Sequence, residues 1–182
     1  NYDAVEKLAW ERFERRPGDT DFFELLKTAK QIDRLDGLRQ RAMSFLETRV
    51  AREEAAGQKP SVWLHNTRDT LLEIHLAEKN AEAMWTTLKG GPTGSRLWEQ
   101  CADLRGKTHP EDAIPLYFKL LPNAVNQGAS NARYESAFRI VQSIGKLRKQ
   151  QDRVAEFKQE LARIRLEYKA KRNFIKLLST LG

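Results

Sequence analysis

An all-α fold follows from three features of the sequence. Apolar residues recur in segments close to the 3.6-residue helical period, nothing alternates in the manner of strands, and the links between periodic segments are short. Short links favour antiparallel neighbours, and the uneven spacing between successive pairs predicts an irregular α-solenoid of antiparallel helix pairs. At 182 residues the chain is long enough to bury a substantial core.

The first helix is read from Val5, Leu8, Ala9, Trp10 and Phe13 within Tyr2 to Arg15, and Pro17-Gly18 ends it. Asp19 and Thr20 can cap a second, holding Phe22, Phe23, Leu25, Leu26 and Ala29. Asp36 can cap a third that runs through Leu38, Ala42, Phe45, Leu46 and Val50 to about Ala56. Residues 1–56 therefore read as a helical hairpin plus an unpaired leading helix. A helix without a partner leaves an apolar face uncovered, so its partner is expected upstream, in a longer protein of which this chain is the C-terminal part.

Residues 57–66, from Gly57 to Asn66, interrupt the period and form the longest predicted loop, the best place for a bend or subdomain boundary, with Trp63 expected to plug the core. Residues 67–182 read as stacked helix pairs ending in a long basic helix, the whole chain forming one continuous domain. One pair carries Leu71, Leu72, Ile74 and Leu76, then Ala81, Ala83, Met84, Trp85 and Leu88, and closes at Gly90-Gly91-Pro92. The next carries Leu97, Trp98, Cys101, Ala102 and Leu104, then Ala113, Ile114, Leu116, Tyr117, Leu120 and Leu121. Thr108-His109-Pro110-Glu111 between them fits a capping box, and Pro115 and Pro122 predict a kink. In the last pair, Asn131 to Lys149 faces Asp152 to Leu181. That final helix is the longest, with its weak point near Lys171.

The stretch His109-Pro110-Glu111-Asp112-Ala113-Ile114 with Tyr117, Tyr134 with Ala137, Phe157, Leu161 and the run from Lys171 to Leu178 resemble the C-terminal helical region of bacterial SWIM zinc-finger proteins. The resemblance covers roughly residues 109–182. It implies a tetratricopeptide-like scaffold that follows a zinc-binding module. The zinc motif of that family needs several cysteines, and this chain has one, so zinc binding does not carry over.

Local motifs for chemistry are sparse. A single cysteine, Cys101, rules out an internal disulfide and reads as a buried thiol. His65, His75 and His109 have no metal-ligand spacing. Gly90-Gly91-Pro92-Thr93-Gly94-Ser95 follows a helix and lacks the lysine of a phosphate loop, so it reads as a turn. Glu111 and Asp112 point in different directions on a helix and compensate its dipole. No catalytic, metal or cofactor-binding residue is expected. The absence of a long apolar span and of a secretory leader predicts a cytoplasmic protein without membrane contact.

Charge is more informative. Between Lys146 and Lys176 eleven Lys and Arg face four Asp and Glu, a surplus of seven that equals the net charge of the whole chain. On a continuous helix Arg165, Lys169, Arg172 and Lys176 form one basic stripe. Such a stripe could follow nucleic-acid phosphates with a log-affinity against log-salt slope of roughly −3 to −4, or could be a solvated outer face. The sequence thus predicts a non-enzymatic scaffold for a protein or peptide partner, with nucleic-acid binding through the basic helix as the alternative.

Overall fold

The computed structural model describes residues 1–60 and 65–182. Trp63, expected to fill the core, lies outside the described residues. Among the described residues there are ten α-helices, two short 3-10 turns and no strand. They fall into two compact units, Asn1–Leu97 and Trp98–Gly182.

In the first unit, α1 (Tyr2–Arg15), α2 (Asp19–Gln31), α3 (Leu35–Ala55), α4 (Thr67–Ala77) and α5 (Ala81–Gly90) each pack on the next, and α2 also reaches α4. The leading helix is not unpaired, as the sequence suggested: α1 folds onto α2 about Pro17-Gly18 and buries Trp10 and Phe13. The core is aromatic. Phe13 lies 5.8 Å from Phe45 and 6.3 Å from Phe22, while Trp10 meets Phe45 edge-on at 5.8 Å. Edge-to-face pairs of this kind add about 0.5–1.5 kcal/mol each beyond their burial. On α3 the stripe Leu38, Ala42, Leu46 and Val50 recurs every fourth residue and is buried throughout.

The boundary expected at residues 57–66 falls inside this unit. Polar locks hold α3 to α4 across the loop. The Thr67 amide donates to Glu53 at 2.9 Å, and Arg68 Nε donates to Glu54 at 2.7 Å. Asn66 and Asn80 cap α4 and α5, accepting from the amides of Asp69 at 2.8 Å and Ala83 at 3.1 Å.

The second unit comprises α6 (Trp98–Arg105), α7 (Pro110–Ala129), α8 (Glu135–Gln150), α9 (Val154–Glu167) and α10 (Arg172–Leu178). α7 packs against α6 and α8, α9 packs on α8, and α10 folds back on both α8 and α9. Glycine permits the close approach of α8 and α9, because a Cβ on Gly145 would lie 2.7 Å from the Phe157 ring. Pro115 and Pro122 sit inside α7 on its exposed side, and the helix continues past both. On the solvent side a carbonyl that loses its amide can be hydrated, which lowers the cost of an internal proline. The expected capping box is absent. His109 is the N-cap, and the Thr108 hydroxyl bonds His109 Nδ1 at 2.8 Å.

Both units use the same helix ending. Asp33, Lys79, Ala132 and Asp152 adopt positive φ of 54–60°, and the following amide reaches back to the carbonyl five residues earlier. Those bonds run from Arg34 to Ala29, Asn80 to His75, Arg133 to Gly128 and Arg153 to Arg148, at 2.8–3.0 Å. This left-handed closure satisfies the last helical carbonyls and turns the chain straight into the next helix.

Candidate functional site

The basic stripe is divided by the fold. The predicted last helix breaks between Glu167 and Arg172, leaving Arg165 on α9, Lys169 in the turn, and Arg172 and Lys176 one turn apart on α10. The break lets Phe174 and Leu178 become fully buried. Phe174 stacks on Tyr134 at 5.5 Å and meets Tyr168 at 5.8 Å. Burying two such side chains contributes about 1.5–3 kcal/mol each, enough to outweigh one interrupted helical turn. Arg165 is engaged internally, its Nη2 donating to the Leu178 carbonyl at 2.9 Å. Lys169, Arg172 and Lys176 are exposed and form no ion pair among the described residues.

The same turn opens a groove between α7 and α9. Phe118, Leu121 and Pro122 line it from α7, and Glu160, Arg163, Ile164, Glu167 and Tyr168 from α9 and its end, around a half-open volume of about 290 Å³. Leu121 and Ile164 form a buried apolar floor, with Phe118 and Tyr168 half-buried beside it. Pro122 has no N–H, so the Phe118 carbonyl cannot receive its usual amide from the next turn. Glu160 is held by Arg148, whose Nε donates to it at 3.1 Å; the pairing raises the Arg148 pKa, the hydrogen bond with Glu160 being the main cause. Burial, aided by the Glu167 carboxylate, raises the Tyr168 phenol, which stays neutral. Arg163 is exposed and pairs with no described residue.

A recess of similar size, about 260 Å³, lies in the first unit among Arg16, Asp21, Arg49, Glu53, His65, Thr67 and Thr70. Its charges are committed to one another. Arg49 donates to Glu53 at 3.2 Å, Glu53 accepts from Thr67, Arg16 pairs with Asp21 at 3.9 Å, and His65 bonds Thr70 at 2.9 Å. The bonds from Thr67 and Arg49 outweigh burial and hold the Glu53 carboxyl below its ordinary pKa.

The other residues weighed from sequence have structural surroundings. The Gly90–Gly94 turn wraps two charged side chains of α4. A Cβ on Gly90 or Gly91 would meet Arg68 at 2.8 or 2.7 Å, while the Gly94 amide already donates to Asp69 at 2.9 Å. Asp112 receives Nε–H from the buried Arg105 at 2.7 Å, and Cys101 is fully buried. Asp103 accepts a hydrogen bond from the Tyr117 hydroxyl, and burial with that carboxylate raises the Tyr117 pKa above the ordinary phenol range. Among the described residues no group of three or more His, Cys, Asp and Glu is placed to hold a metal ion, and no helix is long and apolar enough to cross a membrane.

Sequence reasoning missed the groove because its two walls are about forty residues apart. Its one local signal was Pro122, read with Pro115 only as a kink. No family model matches the chain, and neither the curated proteins nor the solved structures supply a match. The SWIM resemblance therefore rests on the residues that suggested it.

Proposed function

We propose that this chain is a non-enzymatic, tetratricopeptide-like helical scaffold that binds a protein or peptide segment, as the C-terminal part of a larger cytoplasmic protein. On the SWIM resemblance, a zinc-binding module would precede it. The observation that carries the reading is the α7–α9 groove: an apolar floor with a polar rim, open along one side, matches what an extended or helical peptide requires. The clusters of charged residues elsewhere are bonded to one another, which suits structural locks better than acid–base work.

A second reading has its own support. The uncommitted Lys169, Arg172 and Lys176 form a basic corner where α9 turns into α10, and such a corner can attract phosphates. Fluorescence anisotropy with labelled single- and double-stranded DNA and RNA, at low and moderate salt, separates the two. The scaffold reading expects no saturable binding at moderate salt. Steeply salt-dependent binding that vanishes on reversing Lys169, Arg172 and Lys176 to Glu would replace it with the nucleic-acid reading.

A further inference from the structure

Charge surrounds the groove unevenly. Arg163 stands on the α9 rim, and Lys169 and Lys171 follow Tyr168 in the turn at the groove's end. None of these three forms an ion pair among the described residues. Of the two carboxylates on the rim, Glu160 is neutralised by Arg148, while Glu167, beside the Tyr168 phenol, has no cation partner among the described residues. The second unit as a whole carries sixteen Lys and Arg against nine Asp and Glu, so its long-range field has the same sign.

We infer that the α7–α9 groove binds an acidic peptide segment that inserts an aliphatic or aromatic side chain between Phe118 and Tyr168. This deepens the scaffold reading and rests on it. The inserted side chain meets Leu121, Ile164 and the Pro122 ring, which give apolar contact without demanding one shape. A carboxylate flanking the anchor meets Arg163 on the α9 rim, with Lys169 in the turn just beyond Tyr168. A basic segment would face Arg163 on the rim and Lys169 and Lys171 in the adjoining turn, so the rim selects by repulsion as well as attraction. The Phe118 carbonyl, released from the helical ladder by Pro122, offers an acceptor for a peptide N–H beside the anchor.

The test uses the 182-residue chain and a synthetic array of peptides about fifteen residues long, enough for a few helical turns or an extended run across the groove. One set combines Leu, Ile or Phe with Asp and Glu. A second replaces the acids by Asn and Gln, and a third by Lys and Arg. Members of the acidic set are expected to bind, with the others at background.

Binding is then measured by anisotropy for two charge-matched variants, Arg163→Glu/Lys169→Glu at the groove and Lys107→Glu/Lys146→Glu away from it. All four positions are exposed, so both variants should fold. The groove variant should lose about tenfold or more in affinity and the distant one less than about threefold, because close charge pairs act locally while a general field does not. Equal losses in the two variants, or acidic peptides that bind undiminished to the groove variant, overturn the inference while leaving a peptide-binding scaffold standing. Background signal from all three peptide sets overturns both, and an RNA oligonucleotide that binds when no peptide does transfers the basic surface to the nucleic-acid reading.

Discussion

The two units solve one construction problem with different materials. In the first, sixteen Lys and Arg balance sixteen Asp and Glu, and many are joined across helices. Arg34, the N-cap of α3, bridges to Asp3 and Glu6 of α1, Arg39 reaches Glu78, and Arg68 ties Glu54 to the end of α5 through the Thr87 carbonyl. Its core is built on aromatic rings that meet edge to face. The second unit has seven more cations than anions, and its helices meet at small residues such as Ala102, Ala113, Ala137 and Gly145. Where charges pair internally they fix helix against helix. Where they are left over they remain available to a partner, which is why the second unit is the better candidate for recognition.

The largest effects should come from each unit's central ring. Phe22→Ala and Phe174→Ala each remove a fully buried phenyl group, and each should cost about 3–5 kcal/mol. Urea denaturation gives the loss, and amide hydrogen exchange should place it in α1–α3 for the first variant and in α8–α10 for the second. Fast exchange spread evenly through all ten helices in either variant would break the division between units.

A step down, Gly145→Val forces a branched side chain against the Phe157 ring and should destabilise by about 1–3 kcal/mol through overpacking. Pairing it with Phe157→Leu should recover part of that loss. No such rescue would mean that the closeness of α8 and α9 is set by something other than this contact.

The first unit should also be the acid-sensitive one. His75 is buried, with Nδ1 lacking a hydrogen-bond partner among the described residues, and burial lowers its pKa, helped by Arg39 and opposed by Glu78 and Glu47. Its imidazole is therefore neutral in the folded protein but takes up a proton near its ordinary value, about 6.5, once unfolded. Stability from this group is full above that value and declines as pH falls from it toward the lower folded value. Urea midpoints measured from about pH 7.5 to about pH 5.5 should drop in the parent, and His75→Gln should flatten the curve.

The smallest effect should be a gain. Ala132 holds φ of 54°, a conformation that costs an L-residue roughly 1–2 kcal/mol, and Ala132→Gly should recover about 1 kcal/mol of it. Gly57→Ala, at φ of 71°, should lose a similar amount by the same measurement.

Most helices could be read from periodicity because their buried stripes repeat locally: Leu38, Ala42, Leu46 and Val50 declare α3 without help from the rest of the chain. Pairing was harder. The partner of α1 turned out to be the next helix, since a two-residue Pro-Gly turn is enough to fold Phe13 onto Phe22. The usual glycine that marks a helix end is missing at Asp33, Lys79, Ala132 and Asp152, so those closures carry no clear signal. Near Lys171 the sequence supplied a weak point but no breaker, and the cause of the interruption is tertiary, the burial of Phe174 against Tyr134. The groove joins residues far apart in the chain, and the four cations of the stripe do not share one helix because the chain folds back between them.

The hydrogen bond from Tyr117 to Asp103 gives the second unit an optical reporter of its own. Three of the four tyrosines, Tyr117, Tyr134 and Tyr168, belong to that unit, whereas Tyr2 alone is in the first and is largely exposed. In an alkaline titration followed by phenolate absorbance, Tyr117 keeps its proton for as long as its surroundings stay folded. A late, cooperative rise in absorbance therefore records the opening of α6 and α7 in an unlabelled protein, at a wavelength to which the first unit contributes a single tyrosine.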